Sequence, residues 1–465
     1  MADRDGNRKQ VAVVGAGAAG LTAAIAAAEE GASVTLLNAH PRIGLKILMS
    51  GGTRCNVTHV EVNERDFHGG SRPFVARVLR AFPAEQARDW FASMGVDLKL
   101  EDTGKYFPQT DDAKTVLDAL LAAAKRAGVV VESGARGVRL ERLVPIPVTG
   151  REEDDLERST GEGMPEPSSD LPSFRIGIQT VRSAAEFEEG AVSRLKGNRW
   201  QLPAVEPDRW IDPDAVVLST GGLSFPRTGS DGTGYALVQA LGHTIEATTP
   251  ALTPLASDDA LSEGAQGITL EVELTLWVDG AREEHVRGSM VIAHFGYSGP
   301  AALDLSRHWH GAKGERRVTC NFAPGETAES MRDAWVDAAR TAPERTVRRH
   351  LTRWVPERLA ERLAMEAGLQ PDARVAQVDR EHRAAVIAAL VERDLHVTGT
   401  LGYEKAEVTA GGVRLSEVNP STLESRIAPG LFLCGEILDV EGRLGGFNFQ
   451  WAWSSGTVAG RSAGR

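Results

Sequence analysis

The chain has 465 residues, 42% of them hydrophobic and 25% charged, with a formal net charge of −12. That length suits two or three domains of about 100–200 residues, and the balance is ordinary for a globular chain with ample core material. The negative charge argues against broad non-specific nucleic-acid binding, which needs clustered cations, and no run approaches the roughly 18 apolar residues of a membrane helix.

The polar start, Met1 to Gly6, gives way at once to an apolar strand. It leaves no room for a secretory leader, so a cytoplasmic location is expected. Cys55, Cys320 and Cys434 are the only cysteines. So sparse and odd a set argues against a disulfide framework and against a zinc site, and no metal is expected.

In chain order, Val11–Gly15 reads as a buried strand, Ala18–Glu30 as a helix and Ser33–Leu37 as a second strand. Together they form one βαβ unit of a parallel sheet. Phe74–Met94 and Ala113–Ala127 are amphipathic stretches, and Val129–Glu132 is a further strand. Residues 145–195 are expected to be a mobile acidic, Pro-rich insertion. Pro145, Pro147, Pro165, Pro167 and Pro172 are interleaved there with acids and serines, which bury little apolar area. Ala215–Leu218 resumes as a buried strand. Leu270, Val272, Leu274 and Leu276 alternate in period two, which predicts antiparallel β-structure over 250–320. Residues 326–395 read as helical, 406–440 as short strands and turns, and Asn448–Gly460 as a helix.

Gly15-Ala16-Gly17-Ala18-Ala19-Gly20 is a G-x-G-x-x-G between an apolar strand and an Ala-rich helix. In that setting Gly15 permits the tight turn, Gly17 lets the backbone approach a diphosphate, and Gly20 lets helix and strand pack closely. The helix N-terminus then offers N–H groups and partial positive charge to the phosphates. The alternative is a purely structural glycine turn. The second strand ends in Asn38, where dinucleotide sites use an acid to hold ribose hydroxyls. Gly229–Gly234 is also glycine-rich, but no apolar strand runs directly into it, so it reads as a turn. No separate NAD(P)H domain is expected, and a nicotinamide donor would have to dock at the first dinucleotide site itself.

The segment Gly44-Leu45-Lys46-Ile47-Leu48-Met49-Ser50-Gly51-Gly52-Thr53-Arg54-Cys55-Asn56-Val57-Thr58 resembles the G-R-K-x-x-x-S-G-G-G-R-C-N-x-T signature of the BaiN/YhiN-like flavoproteins. Leu45 stands where the signature has Arg, and Thr53 where it has its third Gly. Ser219 to Pro226, His294 to Pro300, Ala406 to Val413, and Gly435 to Asp439 with Gly445 to Trp453 resemble further segments of that family, in its order. The resemblance implies an α/β fold with a Rossmann-like FAD-binding domain split between the chain ends, 1–245 and 401–465. A β-barrel-like domain, 246–322 and 396–405, would be inserted in it. A helical domain, 323–395, would be inserted in that.

The resemblance also implies FAD contacts from Gly15 to Gly20, Asn38, Lys46, Ser50, Gly51, Gly52, Arg54, Cys55, Asn56, Val138, Thr220 and Gly221. Gly435, Glu436, Asp439, Gly445, Gly446, Phe447, Asn448 and Phe449 complete the set. Chemically, Ser50 to Gly52 can bring N–H groups to an anion or a flavin edge. Lys46 and Arg54 can offset pyrophosphate charge, unless they are solvated cations of a surface loop. Gly435, Glu436 and Asp439 follow a strand end and could accept ribityl hydroxyls. Gly445 to Asn448 precede a helix whose dipole would favour an anionic reduced flavin. Cys55 and His294 are the candidate proton donors, with Tyr297 beside His294. A buried inert Cys and a structural His are the alternatives. Trp451 and Trp453 are expected to pack the domain.

Three functions follow. The first is a flavin-dependent reductase of an activated C=C bond in a small molecule, a class the resemblance includes beside proteins described as amine oxidases. The second is a ribosomal RNA dihydrouridine synthase. For it, seven arginines from Arg340 to Arg362 face three glutamates, a local charge of +4 that could be an RNA footprint or a solvated helical face. The third is a non-catalytic FAD-binding protein.

Overall fold

Five apolar segments build the central sheet of the first unit. They are β1 (Gln10–Val14), β2 (Ser33–Asn38), β3 (Val130–Ser133), β4 (Ala215–Leu218) and β5 (Leu431–Leu433). In the computed structural model they lie in the order β5-β4-β1-β2-β3, all parallel. The structure describes residues 8–143, 173–190, 192–196 and 198–465. A parallel sheet covered on both faces needs near-continuous apolar strands. Accordingly Val13, Leu36, Leu37 and all of Ala215–Leu218 are fully buried. The chain runs outward from β1 to β2 on one side and returns to β4 on the other. Such a reversal leaves a crevice at the strands' carboxyl ends.

Three helices matter for the site: α1 (Ala18–Glu29), α2 (Arg72–Ala81) and α3 (Phe447–Gly464). α3 lies against α1 in backbone contact. A Cβ added at Gly456, Gly460 or Gly464 would come within 2.5, 2.2 and 2.7 Å of the carbonyl oxygens of Ala19, Ala23 and Ala27. Glycines four apart share one helix face, so the spacing itself sets this approach.

The chain divides into two compact units: the first up to Thr248 and from Val408 to Arg465, the second Thr249–Glu407. The second is built on an antiparallel seven-stranded sheet. Val272, Leu274 and Leu276 on its strand Thr269–Val278 are fully buried, as their alternation predicts. Arg393 and Asp394 pair with Cys320 and Thr319, while Gly399 and Thr400 pair with Ala256 and Leu255. One short segment therefore supplies both edges of the strand order. Met331, Trp335, Leu359, Leu363 and Leu390 share a single hydrophobic core with Val272, Leu274 and Met290. The helices of 328–391 thus bury their apolar faces together with the sheet.

Two readings are refined and one expectation is corrected. The amphipathic stretch Phe74–Met94 is two helices, α2 and Ala84–Ser93, because Phe82 before Pro83 leaves the helical region (φ −151°, ψ 80°). The segment after β2 is a helix, Leu45–Thr53, broken at Ser50, Gly51 and Gly52. The insertion expected over 145–195 reaches too far. Residues 144–172 lie outside the described residues, but Phe174–Thr180 is a strand paired with Ala135–Arg142. Phe174, Ile176 and Ile178 alternate into the core there. Among the described residues no helix is long and apolar enough to cross a membrane.

Candidate functional site

The site lies in the first unit and starts from the turn between β1 and α1. Gly15 has φ +107°, and a Cβ on it would sit 2.5 Å from the Ser219 carbonyl oxygen at the end of β4. A Cβ on Gly20 would sit 1.7 Å from the Gly15 oxygen and 2.5 Å from Ser219 Oγ. Both glycines are therefore packing requirements. Gly17 differs, since nothing lies within 4 Å of its missing Cβ. It starts α1 with no side-chain cap, and the first turn carries no acid. Leu21 is the first residue whose N–H meets a carbonyl, that of Gly17 at 2.9 Å. The N–H groups of Ala18, Ala19 and Gly20 stay open as donors, with the positive end of the helix dipole behind them.

Asn38 closes the base of this turn. Its Oδ1 accepts the Ala16 N–H (3.3 Å), and its Nδ2 donates to the carbonyls of His40 and Arg42. A carboxylate could not make the last two bonds, which accounts for Asn in place of an acid. The expected ribose partner is thus engaged with its own chain.

Lys46 and Arg54 are likewise committed. Lys46 Nζ donates to Glu436 Oε2 (2.7 Å) and Ser224 Oγ (2.6 Å). Glu436 Oε1 accepts from Ser224 Oγ (2.5 Å) and from the Thr409 N–H (2.9 Å). Thr409 Oγ1 takes the N–H groups of Leu223 (2.8 Å) and Ser224 (3.1 Å). This network ties the chain after β4 and β5 to Lys46. Ser224 and Thr409 were not singled out as site residues, although both stand in the quoted family segments. Arg54 donates to Glu101 (2.6 Å), which holds the guanidinium above its usual range, and lies 4.0 Å over the Phe107 ring. Neither cation is left over for a diphosphate in this structure.

The glycine-rich segment adopts a run of left-handed conformations: Gly51 (+56°), Gly52 (+67°), Thr53 (+71°) and Cys55 (+62°). Cys55 has no exposed surface, and burial pushes its thiol up to about 12, so it stays protonated and out of reach. Ser50 Oγ donates to the Ile47 carbonyl (2.8 Å). Asn56 is buried, and its Oδ1 has no partner. A Cβ on Gly446 would lie 2.7 Å from that oxygen. Val138 is the extra residue of a bulge between Gly137 and Arg139 and is buried.

From the far end of the chain, Gly435 (φ +77°) would bring a Cβ 2.8 Å from that of Ala19. Its N–H donates to Ser455 Oγ (2.9 Å), and its carbonyl accepts Trp451 Nε1 (3.1 Å). Gly221 also has φ above zero, at +76°, just after Thr220. Gly445 (+134°) and Gly446 (+92°) lead into α3, which again has no side-chain cap. Asn448 clamps Gly442 through both its amide groups (2.8 and 2.9 Å). Phe447 stacks on His59 at 4.9 Å and Phe449 on Trp453 at 5.5 Å. Trp453 Nε1 donates to the Val57 carbonyl (2.8 Å), and Gln450 joins Thr58 (2.7 Å) to Phe82 (3.0 Å). Trp451 and Trp453 are buried and pack the domain, as expected. Asp439 is half-buried, and its carbonyl accepts the Gly70 N–H (2.9 Å).

The remaining candidates belong to the second unit. His294 sits exposed on the turn between two strands, against Phe295 at 5.0 Å. Tyr297 is buried and donates to Asp259 (2.6 Å), which Arg393 also holds (2.9 Å). Burial pushes its phenol far above the usual range, so it is no proton donor. Three of the seven arginines counted in the helical region are paired with carboxylates. Arg348 meets Glu361 (2.9 Å) and Asp372 (3.0 Å), Arg340 meets Asp337 (3.0 Å) and Arg362 meets Glu366 (3.0 Å).

Residues 9–143 and 179–462 match the family model described as the HI0933-like protein Rossmann domain. The chain belongs to this family. Among HI0933-like relatives, it is 32% identical to the 3-dehydro-bile acid delta(4,6)-reductase of Clostridium scindens, over 98% of each chain. It is 29% identical to the ribosomal RNA dihydrouridine synthase of Escherichia coli, over 95% of each. A protein of that name from Haemophilus influenzae is 27% identical, over 97% of this chain and 98% of that one. Among solved structures, the 3-ketosteroid-delta4-(5alpha)-dehydrogenase from Rhodococcus jostii in complex with 4-androstene-3,17-dione aligns over 100% of this chain and 98% of its own. The TM-score is 0.45 and the identity 16%.

Proposed function

We propose that this HI0933-like protein is an FAD-dependent oxidoreductase that reduces an activated C=C bond of a small molecule. The observation that carries the reading is the bare N-terminus of α1, with three open N–H groups beside the uncrowded Gly17. Open donors at a helix start, at the carboxyl ends of parallel strands, suit a dinucleotide's diphosphate. FAD, when bound, supplies the hydride that no side chain can provide. The chain's part is to hold and orient it. Ala18, Ala19 and Gly20 would bind the diphosphate, and the absent Gly17 side chain leaves room for it. The Lys46–Ser224–Glu436–Thr409 network fixes the loops around it. The unpartnered Asn56 oxygen and the uncapped start of α3 provide an acceptor and donors at a second place.

The bile-acid reductase relative favours a small unsaturated substrate. NAD(P)H is the proposed transient donor. The Gly229–Gly234 turn offers it no separate site, since Asp231 there caps the following helix through the Thr233 N–H (3.0 Å) and pairs with Arg136 (3.1 Å). We also read the second unit as barrel-like, with 323–395 as an insertion in it.

The test is the absorbance of purified protein, followed by anaerobic NADH or NADPH and then an unsaturated 3-oxo steroid acid. Bound FAD, bleached by a nicotinamide and recovered with substrate, is the expected result. A colourless protein that takes up no FAD rejects the reading. We propose His294 as the remaining candidate acid: Cys55→Ser should turn over at the parent rate, since its thiol is buried and out of reach, and a parent rate in His294→Ala would remove His294 as well.

A second reading, a ribosomal RNA dihydrouridine synthase, is favoured by the two relatives of that name. Arg340, Arg348 and Arg362 are already paired with carboxylates, which leaves Arg345, Arg349, Arg353 and Arg358 for any RNA contact from that region. Comparing ribosomal RNA dihydrouridine in cells with and without the gene decides it, and an unchanged level returns the weight to small molecules.

A further inference from the structure

The first unit carries a second concave feature, between α2 and the loop that follows Val413. It is a cleft of 660 Å³, with Arg77 and Arg80 on one wall and Arg414 and Arg426 on the other. Glu246 and Asp439 are the carboxylates that line it. Gly70 makes the close approach that forms it, since a Cβ there would lie 2.5 Å from Leu415 Cδ1. Four guanidinium groups against two carboxylates give the cleft the sign opposite to the whole chain, whose net charge is −12.

The arginines of the cleft are sparsely paired. By contrast, Arg348 in the second unit meets three carboxylates. In the cleft, Arg414 donates through Nε to Glu246 (2.6 Å) and Arg426 only to the Val418 carbonyl (3.4 Å). Arg77 and Arg80 are exposed, three apart on one face of α2, and no carboxylate pairs with them among the described residues. Like charges held this close repel, and the arrangement is relieved when an anion enters. Guanidinium groups match the oxygens of phosphate bidentately. The volume falls within the roughly 300–1,000 Å³ of small-molecule pockets and suits a nucleotide-sized ligand better than a nucleic-acid strand.

We propose that this cleft binds a phosphate-bearing small molecule of nucleotide size, at a place separate from the α1 turn. The inference does not rest on the flavin reading: of the lining residues only Asp439 belongs to the expected FAD contacts, and none of the arginines does. The probes are inorganic pyrophosphate and ADP, titrated calorimetrically into the protein with the cofactor it carries. Both bind, and binding weakens as salt is raised. Arg77→Ala/Arg80→Ala weakens it about ten-fold or more, as the loss of charge-assisted bonds requires. Arg345→Ala/Arg349→Ala, an equal change of charge in the second unit, leaves it unchanged. Arg77→Lys/Arg80→Lys keeps the charge but loses the bidentate fork, so it recovers only part of the affinity lost in the alanine variant, which separates a binding role from a folding one. Absence of binding by either probe, or equal affinity in parent and Arg77→Ala/Arg80→Ala proteins, overturns the proposal. So does a short RNA that binds far more tightly than ADP and is lost with the same variant, because the occupant would then be a strand.

Discussion

Two helices of similar length begin in opposite ways. In the second unit, Ala328–Thr341 starts from Thr327, whose Oγ1 accepts the Ser330 N–H (3.1 Å) while Ser330 Oγ takes the Thr327 N–H (2.9 Å). In the first unit, α1 starts from Gly17, which has nothing to offer its own N–H groups. Buried polar groups do not divide so cleanly. Tyr297, Asp259, Arg393 and Glu366 satisfy one another in the second unit, but His350 Nδ1 there, like Asn56 Oδ1 in the first, is buried without a partner. Unmade hydrogen bonds cost stability, so a chain that caps one helix fully and leaves another bare marks where something else supplies the missing partner.

The largest expected effect is that of Gly20→Val. The branched side chain meets the Gly15 carbonyl and Ser219, and overpacking of this kind costs about 3 kcal/mol or more. The variant should yield little folded protein and no bound flavin by absorbance. Normal yield with full flavin content would mean that the turn tolerates expansion and is no tight cradle.

Next comes acid. His350 in the second unit is buried between Trp335 and Trp354, and burial, with Arg353 and Arg345 nearby, pushes its imidazole down to about 4. Above pH 6.5 it is neutral in both folded and unfolded chains. As pH falls from about 6.5 towards 4 the unfolded chain takes the proton first, so stability drops by about 3 kcal/mol across that window. Melting temperature against pH should show the fall, and His350→Leu should flatten it. Parallel curves for both proteins would sink the assignment.

Gly17→Ala and Thr327→Ala test the comparison most directly. At Gly17 the added methyl meets no protein atom, so the melting temperature should hardly move while FAD affinity falls roughly ten-fold, about 1.4 kcal/mol. Thr327→Ala should cost about 1 kcal/mol of stability with FAD affinity untouched. If both variants change stability alone, the two helix starts do not differ in purpose. The smallest effect is a gain. Thr53 holds φ +71° where the family signature has Gly, and a β-branched residue is strained there. Thr53→Gly should stabilise by roughly 0.5–1 kcal/mol after the entropy of the extra freedom is subtracted, read as a modest rise in melting temperature.

The turn at Gly15–Gly20 was legible because each glycine has a local steric reason that sequence spacing exposes. The break at Phe82–Pro83 was equally legible, since a residue before proline is pushed out of the helical region. The strand Phe174–Thr180 was hidden by its proline-rich neighbourhood, although its own alternation points inward. The fates of Lys46 and Arg54 were not legible. Their partners lie 390 and 47 residues away in the chain, and no local pattern reports such pairs. The pairing within the +4 stretch was not legible either, since Asp372 and Glu366, which meet Arg348 and Arg362, fall outside the stretch over which the charge was counted.

The glycine seam between α1 and α3 has a consequence during synthesis. α1 emerges with its small-residue face bare, and its partner follows only after the whole of Thr249–Glu407. At roughly 5–20 residues per second, the wait is on the order of tens of seconds. In that interval the second unit can fold from continuous chain, while the first must persist as an incomplete sheet still lacking β5. Nascent chains halted before Phe447 should therefore depend on a chaperone more than finished ones do.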